Sequence, residues 1–126
     1  YVEEGISTMV QYVPAEKVVN AVPFYTRIWE TTSEGVKSQA VGMTAAEDFL
    51  AQRGVEAAWD ETTCQNYAEF EENGAFFQVW LEDEQSIQAK MNVMKEYGIG
   101  GAAAWKLGYE SGHPEVWTII SDFVNG

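Results

Sequence analysis

Cysteine, histidine and basic residues are nearly absent from this sequence, and each scarcity removes a class of function. The single cysteine, Cys64, cannot form an intrachain disulfide, and with one histidine, His113, no zinc-type ligand set can be assembled. Seven Lys and Arg against 20 Asp and Glu leave a formal charge of −13, which repels phosphate backbones and anionic membrane surfaces. Nucleic acid is therefore excluded as a partner, and neutral or cationic partners remain. No apolar run approaches the roughly 20 residues that a membrane-crossing helix requires. The N-terminal Tyr1-Val2-Glu3-Glu4 has neither the basic start nor the apolar run of a signal peptide, as if the chain were cut from something longer.

What is present suits one packed folding unit. The 126 residues are 46% hydrophobic, enough for a real core and too apolar for disorder. Ile6, Met9, Val10 and Val13 recur at helical spacing and Pro14 closes that helix, while Val18 to Tyr25 reads as a strand buried on both faces. Thr44-x-x-Glu47 forms a capping box for a helix through Phe49 and Leu50 that ends at Gly54. Asn73-Gly74 marks a hairpin between strands near Tyr67–Glu71 and Ala75–Leu81. Asp83 caps a helix whose Ile87, Met91 and Met94 share a face and whose end is Gly98. Pro114 then opens a closing helix in which Val116, Trp117, Ile119, Ile120, Phe123 and Val124 are apolar. Two strands without alternation, each followed eventually by a helix, are expected to lie side by side and parallel, as in α/β units.

The run Gly98-Ile99-Gly100-Gly101-Ala102-Ala103-Ala104-Trp105 is the most telling segment. Glycines and alanines are poor strand formers, so a strand here must sit where other backbones come very close. Trp105 at its end is either a core filler or an aromatic platform at the mouth of a pocket, where its indole N–H finds a partner. Other chemistry-bearing residue types have plainer readings. Glu82-Asp83-Glu84 at a helix start is accounted for by capping and the helix dipole rather than by a metal or a catalytic carboxylate pair. Glu71-Glu72 reads as a solvated hairpin tip and His113 as a cap before Pro114, and Cys64 has no base near it in sequence.

Three segments, in order and spacing, resemble the C-terminal part of glycoside hydrolase family 18, the chitinases and bacterial cell-wall or spore-cortex glucosaminidases. They are Val22-Pro23-Phe24-Tyr25-Thr26-Arg27-Ile28-Trp29, Val79 to Ile87 with Lys90, and Gly98 to Trp105; the ending Trp105-Lys106-Leu107-Gly108-Tyr109-Glu110 resembles the bacterial cell-wall group. The resemblance implies an α/β chain with an α+β insertion: a fragment of a (β/α)8 TIM barrel from about helix 6 to helix 8. Residues 1–30 would hold barrel helix 6 and strand 7, 31–81 a small α+β insertion subdomain, and 82–126 helix 7, strand 8 and helix 8. It further implies that Trp105 is the floor under a sugar and that Tyr25 and Arg27 line the same cleft, with Trp29 and Trp80 extending it. For Arg27 an ion pair with one of the many carboxylates is the competing reading, and for Trp29 and Trp80 it is packing within the insertion.

The same resemblance sets a limit. The acid of the family closes a D-x-x-D-x-D-x-E motif, and no segment of these 126 residues matches it. The expected function is therefore a share of a cleft for N-acetylglucosamine-containing polysaccharide, chitin or peptidoglycan, without turnover by the chain alone. A non-catalytic carbohydrate-binding or assembly domain is the alternative. No cofactor and no metal are expected, self-association through exposed barrel edges is, and the resemblance implies an extracellular, cell-wall or spore-associated setting.

Overall fold

A computed structural model describes all of residues 1–126. Two sheets organise it. In the first, β1 (Val19–Pro23) lies parallel to β7 (Gly101–Trp105), in register from Val19 opposite Gly101 to Pro23 opposite Trp105. Gly100 explains the small-residue run that leads into β7. Its N–H donates to the carbonyls of Ala15 and Val18, and a β-carbon there would stand 2.1 Å from the Glu16 carbonyl oxygen. Only glycine lets the two backbones approach so closely.

Helices α1 (Val2–Met9), α3 (Glu84–Glu96) and α4 (Glu115–Asn125) accompany this pair. Ile6, Val22, Phe24, Ile87, Met91, Met94 and Val116 form one core with them. The expectation that Val18 to Tyr25 is buried on both faces is corrected here, since Val19 is 61% exposed, and Trp105, at 65% exposed, is no core filler. Helices pack on one face only, and no other segment of the chain covers the opposite one. Trp117 and Val124 likewise lie outside the core, because the closing helix carries more apolar residues than its buried stripe uses. Met9 is also exposed.

The second sheet has five antiparallel strands in the order β3-β2-β6-β5-β4: β2 (Thr26–Thr32), β3 (Gly35–Val41), β4 (Ala58–Asp60), β5 (Gln65–Glu72) and β6 (Ala75–Leu81). α2 (Met43–Ala51) covers one face, and Ile28, Ala46, Leu50, Ala68, Val79 and Leu81 make a separate core beneath it. The Asn73-Gly74 hairpin is as expected, with both residues at positive φ (50° and 78°) and Glu72 opposite Ala75. The β2–β3 hairpin was not legible beforehand. β3 is an exposed edge strand built from Gly35, Lys37, Ser38 and Gln39, which carry little strand signal.

Helix ends follow local rules in part: α1 stops at Met9, short of Pro14, which was expected to close it. Asp83 and Ser86 form a reciprocal capping box at α3, and Gly98 (φ 63°) ends that helix in a left-handed turn, as Gly54 (φ 64°) ends the turn after α2. Thr44 and Glu47 do not cap α2, whose N-cap is Gly42. Instead the Thr44 hydroxyl donates to the Ser111 carbonyl at 2.7 Å and Glu47 pairs with His113. A tertiary partner outcompetes the local one.

Candidate functional site

Alternation along one strand creates the site. Thr26 and Ile28 turn inward and are buried, so Tyr25, Arg27 and Trp29 turn outward together. The Thr26 hydroxyl accepts the Glu82 N–H at 2.9 Å, which ties the start of β2 to the end of β6. Outward side chains of the neighbouring strands complete a groove of about 330 Å³: Trp80 from β6, Gln65 and Thr63 from the start of β5 and the turn before it, with Pro23 and Glu82 also lining it. Trp80 stands opposite Arg27 on one side and Tyr67 on the other, and its ring lies 4.8 Å from that of Tyr67 at 37°.

Arg27 makes no ion pair, so the competing reading of this residue is set aside. Its guanidinium donates to the Ser38 hydroxyl at 2.8 Å and lies 5.7 Å from the centre of the Tyr25 ring. The four close acid–base pairs lie elsewhere, at Arg53–Glu72, Lys90–Glu82 and the two contacts of His113. Trp105 is not among the groove-lining residues but stands beside them, directly across the β1–β7 ladder from Pro23, and its carbonyl accepts the Phe24 N–H at 2.7 Å. The Trp105–Lys106 peptide is cis. Behind Trp105, Tyr109 meets Tyr25 edge-on at 6.4 Å. Tyr25, Arg27 and Trp29 thus share one groove, with Trp105 on its flank.

Glu82 and His113 are the residues that sequence reasoning assigned too little. Glu82 is 4% exposed, and its carboxylate accepts from the Lys90 ammonium, from Gln65 Nε2 at 2.7 Å and from the Ser86 hydroxyl at 2.7 Å. Burial pushes its carboxyl above the usual range, and the Lys90 charge pulls it part of the way back. Asp83 alone takes the capping role expected of the three acids. His113 is no cap, since Pro114 holds that position of α4. Its buried ring bridges Glu84 (2.7 Å) and Glu47 (2.9 Å), joining α3, α2 and the loop that follows Trp105. Burial also raises Glu47, against the pull of His113. The spacing Glu82, Ser86, Lys90, a helical i, i+4, i+8, is the signal that could have found the first cluster.

The groove's side chains carry the chemistry of ligand binding. Aromatic rings cover apolar C–H faces, while the guanidinium, phenol and amide give directional hydrogen bonds to hydroxyl or amide groups. No three His, Cys, Asp or Glu side chains converge on a metal-sized space, and no helix is long and apolar enough to cross a membrane.

Comparisons with known proteins bear on the family and the fold. The chain is 31% identical over 122 residues to a cortical fragment-lytic enzyme of Bacillus anthracis, covering 94% of this chain and 28% of that protein. It is 28% identical to the class V chitinase CHIT5 of Lotus japonicus, covering 90% of this chain and 30% of that one. The crystal structure of the Bacillus cereus spore cortex-lytic enzyme SleL superposes with a TM-score of 0.84 at 30% identity, over 97% of this chain and 28% of that chain. The chain therefore spans about 28% of the length of these spore-enzyme relatives. A family model described as glycosyl hydrolases family 18 matches residues 2–110, and the chain belongs to that family.

Proposed function

We propose that the chain supplies part of a cleft for an N-acetylglucosamine-containing glycan, chitin or cortex peptidoglycan, with Tyr25, Arg27 and Trp29 as one wall and Trp105 as an aromatic floor. The observation that carries this reading is the shared groove of Tyr25, Arg27, Trp29 and Trp80, whose one guanidinium is free of carboxylates, next to an exposed tryptophan. Names of relatives support it: a cortical fragment-lytic enzyme, a class V chitinase, and a Cycas revoluta chitinase solved in complex with (GlcNAc)3.

Within a (β/α)8 barrel, β1 and β7 are assigned to strands 7 and 8, α1, α3 and α4 to helices 6, 7 and 8, and the five-stranded sheet with α2 to an insertion after strand 7. The subdomains are then residues 1–30, 31–81 and 82–126, with β2 running across the first boundary. These residues contain no D-x-x-D-x-D-x-E motif, so the chain alone binds without turnover. The setting that fits a wall-directed glycosidase is extracellular or spore-associated.

Titration of the chain with N-acetylglucosamine oligomers tests the reading. Saturable binding is expected, weakened about fivefold or more in Trp105→Ala with circular dichroism unchanged, since stacking of an aromatic on a ligand face contributes about 1 kcal/mol or more. Hydrolysis of the oligomers by the purified chain would refute the inactive assignment. Saturable binding by a longer parent that also lacks the acid motif would favour a non-catalytic carbohydrate-binding module.

A further inference from the structure

Gln65 carries a consequence that the groove's aromatics do not. Its side chain lines the groove, and its Nε2 donates to Glu82 Oε1 at 2.7 Å. That same oxygen takes the Lys90 ammonium, and the other carboxylate oxygen takes the Ser86 hydroxyl. An ionised carboxylate can only accept, so the amide must turn its NH2 end towards Glu82 and its carbonyl end away. The Gln65 carbonyl oxygen makes no hydrogen bond within the protein and is not buried without a partner. An amide that was free to flip could offer either a donor or an acceptor; this one offers an acceptor.

We propose that Gln65 is a specificity-determining residue of the groove, presenting a fixed hydrogen-bond acceptor to an O–H or N–H of the bound sugar, and that Glu82 is the positioning residue that fixes its orientation. The inference rests on the glycan reading above and deepens it. Lys90 from α3 and the neighbouring Asp83 are the charged groups that act on Glu82, while Gln65 and Thr26, which face it from β5 and β2, are uncharged. Lys90 thus keeps the carboxylate an acceptor, and Glu82 keeps the amide pointed. Two side chains outside the groove's aromatic surface decide which polar atom the ligand meets.

A double-mutant cycle on the 126-residue chain, read by calorimetric titration with an N-acetylglucosamine oligomer, tests this. Gln65→Met keeps the length and removes the acceptor, and weakens binding roughly five- to tenfold, the worth of one hydrogen bond. Glu82→Gln lets the amide flip and weakens binding about two- to fivefold in the wild-type background, yet leaves it unchanged in the Gln65→Met background. A Glu82 that merely supports the fold would weaken both backgrounds alike, and that result overturns the inference. A glucose oligomer of the same length assigns the donor: if Gln65→Met lowers affinity for it equally, the partner is a hydroxyl; if the loss is confined to the acetylated ligand, the partner is the acetamido N–H. Wild-type affinity in Gln65→Met, with binding still weakened in Trp105→Ala, overturns the Gln65 role and leaves the groove reading standing. No binding by the wild type overturns both.

Discussion

Glu82 shows how one buried residue ties chemistry to stability. A carboxylate 4% exposed tolerates ionisation only because Lys90, Gln65 and Ser86 together replace its water. Removing the cation while keeping the volume, as in Lys90→Met, is expected to destabilise the chain by about 3 kcal/mol at neutral pH. The sign with pH follows from the raised carboxyl of Glu82. Its folded-state titration lies above the unfolded one, so the stability it contributes is full at acid pH and is lost as pH rises through the folded value. Losing Lys90 raises that value further, and the defect of Lys90→Met should shrink as the pH falls to about 4, where Glu82 is protonated in both proteins. Urea unfolding at the two pH values checks this, and a defect that grows on acidification would contradict it. The sequence showed three acids at a helix start; which of them is buried depended on Thr26, 56 residues away, and Gln65, 17 away.

At the scale of elements, the small-residue strand obeys a steric rule that can be tested singly. Gly100→Ala places a methyl group 2.1 Å from the Glu16 backbone oxygen, and backbone cannot rotate out of the way as a side chain can. A loss of about 2 kcal/mol or more is expected, read as a drop in the midpoint of thermal unfolding, whereas Ala103→Gly, at an exposed position of the strand that follows, is expected to lose about 1 kcal/mol or less. Equal effects at the two positions would show that strand propensity and not close approach governs the run. Elements with strong local signals, the Asn73-Gly74 hairpin and the Asp83 cap, were legible in the sequence because their determinants lie within four residues. The Thr44-x-x-Glu47 box carried an equally good local signal and failed, because the Ser111 carbonyl and His113 bind the same two side chains more favourably. β3 was illegible for the opposite reason: its polar sequence becomes a strand only by pairing with β2 from Thr26–Val41 to Thr32–Gly35.

For the whole molecule, the open face of β1 and β7 is the dominant feature. Val19 and Trp105 are exposed there, and neither strand has a second hydrogen-bonded neighbour. Such edges and apolar surface favour association, while a charge of −13 on every copy opposes it. We therefore expect the isolated chain to self-associate, and to do so more strongly as salt screens the repulsion, with a clear change between roughly 0.05 and 0.5 M sodium chloride. Light scattering against concentration measures it, and a monodisperse monomer at high salt would contradict it.

Local chemistry decided much of this protein from sequence alone: the helix stripes, the Asp83 cap, the Asn73-Gly74 hairpin, the small-residue strand and the tryptophan that ends it. Those features need only neighbours along the chain, and periodicity and turn geometry write them directly into residue order. The tertiary structure decided what meets across distance. It placed Arg27 against Ser38 rather than a carboxylate, Gln65 against Glu82, and His113 between Glu47 and Glu84. Twenty acids compete for seven cations, one histidine and every free donor, and composition cannot say which pairs win. Strand register decides it within the sheet, because it fixes which side chains share a face, and the packing of helices and loops decides it for His113.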